Sequence, residues 1–187
     1  LAGLVARARE GLGVSGASGT ALPDAQVEIA LPGFTDRAEA AATLSAQGVV
    51  RFIDTSGNPL LVGATVGAGQ YPTLFTGSQI DPASVGAQTD PQSGQTVVVF
   101  AFKGEAASPF ANNNGSHIGQ YLTVTLDNRV IESATIQSRI AGPGQIMGDL
   151  SLAQAQTLAA CLKSGALPAL VTLVSATVVQ KGATHAG

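Results

Sequence analysis

Residues 121–133 read YLTVTLDNRVIES. Two β-branched and apolar runs, YLTVTL and RVIES, are separated only by Asp127 and Asn128. After Gly, these two residue types best tolerate the positive φ that a two-residue turn between twisted strands demands. The stretch predicts a tight antiparallel hairpin, so any fold for this chain must provide a sheet around it. A second fixed point is SLAQAQTLAACLKSG, residues 151–165. Ser151 and Gln154 fit a capping box, in which each side chain satisfies a free amide of the first turn. Leu152, Ala155, Leu158, Ala159 and Leu162 share one helical face, Gly165 can end the helix at positive φ, and Pro168 forbids its continuation.

The remaining elements are read around these two. Leu1, Leu4, Val5, Ala8 and Leu12 recur at helical spacing, with Gly13 as the stop. Residues 14–25 are small, polar and Gly-rich, hence loop or weak strand. In QVEIAL, Val27, Ile29 and Leu31 alternate with polar or small residues and predict a half-buried strand ended by Pro32 and Gly33. FTDRAEAAATLSAQG predicts a helix capped by Thr35 or Asp36 and followed by Gly48. VVRFID, residues 49–54, is a strand. The texture changes at Thr55, and from there to about Gln95 Gly, Pro, Ser and Asp prevent firm placement of elements. TVVVFAF, residues 96–102, predicts a buried strand, and Ser108 with Pro109 a helix start. ALVTLVSATVV predicts a last strand and QKGATHAG a disordered tail.

At 187 residues the chain suits one domain or one domain with a large insertion. Such a length buries roughly 70% of its unfolded surface without covalent staples. Cys161 is the only cysteine, which excludes an internal disulfide. A net charge of −3 with 11% charged residues argues against a nucleic-acid partner, which needs a basic stripe to release phosphate counterions. No run of 18 apolar residues occurs, so no membrane span is predicted. The helical pattern begins at Leu1 itself, which reads as a piece of something longer.

The search for chemistry is negative. GPGQIMG, residues 142–148, and GAGQYP, residues 67–72, lack the strand–loop–helix setting of a phosphate cradle and read as turns. His117 and His185 are too few and too far apart for a zinc site. Asp127 belongs to a turn and Glu132 to a strand, and nothing pairs them in a cleft. Ser15 in GVSGA lacks the form of a nucleophile elbow. Cys161 reads as a small buried hydrophobe, and NGS at 114–116 is a weak glycosylation match. The residues alone describe an α/β binding or mechanical module with no catalytic residue, no cofactor and no metal.

Several segments in order carry a resemblance: ARAREGLGVSGA, VEIALPGFTDRAEA, VVRFID, FTGSQIDPASV, VVVFAFKGEAASPFANNN, IGQYLTVTLDNRVIESATI and GDLSLAQAQTLAACLKSGALP. Together they resemble the first large extracytoplasmic domain of the SecD family, membrane subunits that help pull secreted proteins through the Sec channel. The likeness covers nearly the whole chain, and GQYLTVTLDNRVIES with LKSGALP makes it specific. Thr135 stands where the family usually has Pro, and the family's Gly-Leu-Asp-Leu strand before the first helix is missing, as are its transmembrane helices.

The resemblance implies an α+β fold with a ferredoxin-like base, residues 1–55 and 168–187, and an inserted α/β head, residues 56–167. It implies two neighbouring crossings that act as a hinge: Thr55, Ser56, Gly57, Asn58 and Pro59, then Gly165, Ala166, Leu167 and Pro168. It further implies an extracytoplasmic domain that captures emerging unfolded preprotein and swings head against base under proton motive force. SecF and the SecYEG channel would be partners of the full-length protein, and the membrane would be reached only through helices outside this chain. For the preprotein contact the candidates are Tyr71, Leu74, Phe75, Phe110, Ile146 and Met147, with core packing as the competing reading of most of them. A free-standing periplasmic peptide-binding or scaffold domain is the alternative, and a periplasmic hydrolase a further one.

Overall fold

The computed structural model describes residues 1–177. Helix α1, Ala2–Gly11, buries Leu4, Arg7, Ala8 and Gly11 on one face. Leu12 closes it, donating to the Ala8 carbonyl at 3.2 Å, and Gly13 follows at φ +65°. Strands β1, Ser18–Ala21, and β2, Val27–Ala30, pair antiparallel into a two-stranded sheet. Helix α2, Arg37–Ser45, is capped by the Asp36 carboxylate, which accepts from Ala38 N–H and Glu39 N–H at 3.0 Å each. It stops before Gly48, which at φ +82° instead bends the link into the next strand.

That strand, β3, Val50–Asp54, lies inside a four-stranded antiparallel sheet of order β4-β3-β7-β8, with β4 at Thr73–Thr76, β7 at Tyr121–Leu126 and β8 at Arg129–Thr135. The β7–β8 hairpin turns at Asp127, φ +50°, and Asn128, φ +68°, as the two-residue spacing predicts. A second sheet, β5-β6-β9, joins Gly86–Thr89, Thr96–Phe100 and Gly144–Ile146. Short 3-10 turns at Gly77–Gln79 and Pro82–Ser84 lead from β4 to β5. Helix α3 spans Gly104–Ser116, and α4, Leu152–Ser164, starts with both halves of the Ser151/Gln154 capping box in place.

The main core forms where β3 and β7 of the first sheet, β6 and β9 of the second, α3 and α4 meet. It holds five of the six phenylalanines, Phe52, Phe75, Phe100, Phe102 and Phe110, together with Val98, Ile146 and Leu158. The opposite face of the four-stranded sheet buries Ile53 and Val130 under the loop carrying Leu60, Ala64, Val66 and Tyr71. Backbone bonds from Gly63 N–H to the Val130 carbonyl and from Val66 N–H to the Asn128 carbonyl, both 2.8 Å, fasten that loop along β8.

Several expectations are corrected. Helix α3 starts one turn before Ser108, so Pro109 lies inside it. GPGQIMG contains β9 rather than only a turn. In β2 only Ile29 is half-buried, while Val27 is exposed, because the two-stranded sheet has a single partner and little to pack against. The strand expected over 169–179 is absent from its described part, residues 169–177, which pair with no strand and expose Leu170, Leu173 and Val174. Residues 178–187, with the expected tail and His185, lie outside the described residues.

Candidate functional site

An apolar cleft of about 190 Å³ opens on the phenylalanine cluster. Phe102 and Phe110 floor it, their ring centroids 4.3 Å apart, Ala101 and Ala107 wall it, and Ala141, Gly142 and Pro143 form the exposed rim. None of these side chains has a charge or a hydroxyl. The volume lies below the ~300–1,000 Å³ of sites for drug-sized ligands and suits a single inserted side chain. A wider, open groove of about 490 Å³ runs between residues 12–16 and 32–34, with Ser15 on its wall.

The six candidate contact residues scatter. Phe75, Phe110 and Ile146 are core, exposed by only 7%, 2% and 0%. Leu74 is half-buried against that core and Tyr71 against the back-face cluster. Met147 alone is well exposed. Only Phe110 reaches the cleft, through its floor. Aromatic and aliphatic residues in a Gly- and Pro-rich segment gave no sign of which would converge, and Ala101, Ala107 and Pro143 were too ordinary to mark the cleft in sequence.

The two crossings also lie differently. Thr55 is buried, and its hydroxyl donates to the Asn58 carbonyl; Asn58 N–H returns to the Thr55 carbonyl at 3.1 Å. Ser56, φ +53°, and Gly57, φ +79°, complete this turn, and after Pro59 the Leu60 N–H bonds the Ser133 hydroxyl on β8 at 3.1 Å. Thr55–Pro59 is therefore a turn within the sheet that β3 has already joined. The chain passes from α2 into that sheet at residues 46–49. At residues 165–168, the second expected crossing, Gly165 adopts φ +74°, ψ 175°, a region open essentially only to Gly, and Leu167 N–H donates to the Gln47 carbonyl at 2.7 Å. Ala166 and Pro168 are exposed beside it.

The link at residues 46–49 and the segment at 165–168 converge on Arg7, which is fully buried. Its guanidinium donates to the Ala46 carbonyl, to the Gln47 carbonyl at 3.4 Å, to the Gly165 carbonyl at 2.8 Å and to the Ser164 hydroxyl at 3.3 Å. Among the described residues the only ion pair is Lys163 with Glu10 at 2.7 Å, so no carboxylate pairs with Arg7. It is held instead by neutral carbonyls and a hydroxyl at and just past the ends of α2 and α4, charge-assisted hydrogen bonds that replace its hydration. Gly48 is the residue that permits this, since a Cβ there would lie 2.5 Å from an Arg7 nitrogen. Asp127, from the hairpin turn, accepts from Gly48 N–H at 3.1 Å and Val49 N–H at 2.8 Å. Sequence reading missed Arg7, although it sits on the same helical face as Leu4, Ala8 and Gly11, a cation within an apolar stripe.

The remaining candidates join no common site. Burial of Cys161 pushes its thiol up to about 11, against a smaller opposite effect of Arg7. Burial raises the Glu132 carboxyl as well, partly offset by Met147 N–H. Neither Glu132 nor Asp127 lines the cleft or the groove. His117 bonds the Asn113 carbonyl at 2.7 Å, and Asn114 of the glycosylation match is fully buried. No cluster of three metal-binding side chains occurs among the described residues, nor any helix long and apolar enough to cross a membrane.

Comparison with known proteins bears on this geometry. The family model for the SecDF P1 head subdomain matches residues 49–169, starting and ending close to the two crossings. The protein translocase subunit SecD of Elusimicrobium minutum is 39% identical over 99 residues, covering 53% of this chain and 20% of that protein. SecD of Acetobacter pasteurianus is 29% identical over 186 residues, covering 91% of this chain and 36% of that protein. The chain thus spans about a fifth to a third of these relatives. A solved structure described as the membrane component SecDF that enhances protein export superposes with a TM-score of 0.69 at 20% identity, covering 95% of this chain and 92% of that one. SecDF in a super-membrane-facing form gives 0.71 at 23% identity over 88% of this chain and 26% of that one. These two establish a shared α+β fold.

Proposed function

We propose a role from one premise: the chain belongs to the SecDF family, carrying its P1 head subdomain at residues 49–169. In this role the head lies on the extracytoplasmic side of the membrane and captures unfolded preprotein. It then swings against the base as proton motive force drives the transmembrane part of the whole protein. SecF and the SecYEG channel are the partners of that whole protein.

The observation that carries the reading is the cleft at Phe102 and Phe110. An unfolded chain differs from a folded one in presenting apolar side chains to water, and a cleft with no polar side chain reads apolarity alone. Burying one aliphatic or aromatic side chain is worth about 1.5–3 kcal/mol, too little to hold a chain that must move on. The two short crossings at 46–49 and 165–168 suit a hinge, since a few residues at the ends of elements can absorb a rotation.

A photoreactive residue placed at Ala141 in the full-length protein tests capture during export of an arrested secretory chain. Adducts with that chain are expected, and Ala107→Glu, which puts a charge into the cleft, should abolish them. Adducts from Ser15 in the base groove and none from Ala141 would overturn the head site. Adducts from neither position would favour a scaffold that never touches the transported chain.

A further inference from the structure

The junction between the two crossings holds a feature that polypeptide capture does not use. Arg7 belongs to α1, yet every acceptor it reaches lies at the end of α2 or of α4. A guanidinium is a planar fork with donors in fixed directions, so its acceptors are held at a set separation. The crossings are also bonded to each other, Leu167 N–H to the Gln47 carbonyl at 2.7 Å. Around this point the α1–α4 contact is built of small residues. A Cβ on Gly11 would lie 3.1 Å from the Ala160 Cβ, and Thr43 of α2 meets Thr157 of α4 through their hydroxyls at 3.0 Å. Small residues let the helices approach closely but bury less apolar area per contact than large ones, and the polar bonds add to that packing.

We propose that Arg7 is the positioning residue of the hinge: it pins both crossings at one point, so that the head pivots there and the seam between α1 and α4 is the surface that opens. This rests on the proposed head movement for its purpose, but its test needs no preprotein. Without Arg7 the carbonyls of Ala46, Gln47 and Gly165 lose their buried donor, and what remains around the crossings is the Leu167–Gln47 bond, the Asp127 bonds to Gly48 and Val49, the Thr43–Thr157 bond and the exposed Lys163–Glu10 pair.

Cys161 is the native reporter. It is buried beneath the first crossing, its Cβ 3.3 Å from where a Cβ on Gly48 would stand. When opening and closing are fast, its alkylation rate follows the open population. The experiment uses the full-length protein in membranes without a preprotein, with any cysteine outside this chain replaced, and a maleimide as probe. Arg7→Ala should speed Cys161 alkylation by about 10- to 100-fold, the scale of one lost charge-assisted buried hydrogen bond. Arg7→Lys, a point charge that cannot span both crossings, should fall between. The control is Val98→Cys combined with Cys161→Ser, a thiol in the middle of β6 and fully buried in the head core. In the Arg7→Ala background its alkylation should stay slow. An unchanged Cys161 rate overturns the proposal. So does equal acceleration at both positions, because that means general unfolding rather than an opened seam. If Arg7→Ala does not accumulate, Arg7→Lys carries the same comparison.

Discussion

The matched head, residues 49–169, and the segment before it, residues 1–48, which the proposed role treats as the base, differ in what holds them. The head's main cluster packs five phenylalanines with centroids 4.3–6.3 Å apart, all tilted or edge-to-face, and a smaller cluster backs it on the other face of the sheet. Such aromatic pairs add about 0.5–1.5 kcal/mol each beyond area burial. The base buries only Ala8, Val14 and Ala17 in its own cluster, with Leu12, Ile29, Leu31, Phe34 and Leu44 half-covered around them. Its best-buried large side chain is Arg7, held by polar bonds at the junction. A dense apolar core makes the head rigid, whereas the base depends on the contacts it makes with others.

The strongest test of that contrast is Phe110→Ala. Deleting a buried aromatic from a close-packed core should cost about 3–5 kcal/mol, read as lost hydrogen-exchange protection across β3 and β7. Val14→Ala, beside the open base groove, should cost about 1–2 kcal/mol and affect only β1 and β2. If both substitutions lower protection everywhere, head and base are one cooperative unit and the contrast fails.

Asp127→Ala should be intermediate, about 2–3 kcal/mol in denaturant unfolding. It removes two charge-assisted bonds to Gly48 and Val49 and places Ala at φ +50°. Asp127→Asn keeps the turn and loses the charge, and should cost less than half as much. Equal costs would mean that the carboxylate's charge, rather than the turn, ties the hairpin to the first crossing.

The smallest effect concerns Glu132, a carboxylate penalised by burial on an otherwise well-packed strand. Its folded carboxyl is raised above the ordinary 4.5, so the folded state holds the proton more tightly than the unfolded one. Stability should therefore fall as pH rises from about 4.5 through the folded value. Glu132→Gln should remove that fall and be the more stable form at neutral pH. Parallel stability curves for the two proteins across that range would show that Glu132 is solvated and that the core carries no such penalty.

Legibility in the sequence followed the range of the interactions. The hairpin at Asp127–Asn128, the Ser151/Gln154 capping box, the Asp36 cap and the Gly13 stop were all readable, because each is decided by residues within about four positions of one another. The start of α3 was misread because proline favours a first turn, whereas here the helix begins a turn earlier, through Ala106 and Ala107, and carries Pro109 inside it. The segment from residue 56 to 95 was opaque because its order comes from outside itself: Gly63 and Val66 are held by β8, and Leu60 by Ser133. The place of β3 is decided in the same way. VVRFID reads as a strand in any setting, and only its pairing with Thr73–Thr76 and Tyr121–Leu126 assigns it to the head's sheet.

By itself the sequence determined the elements whose signals are local, the β7–β8 hairpin and the capped helices α2 and α4 among them, and, through ordered motifs, the family. Tertiary structure alone decided that Phe102 and Phe110 floor a cleft rather than fill the core completely. It also decided that Arg7 is buried. A guanidinium leaves water only when acceptors replace its hydration, and those acceptors, the carbonyls of Ala46 and Gly165, lie 39 and 158 residues away. They come together only once α2 and α4 have both ended at the same point.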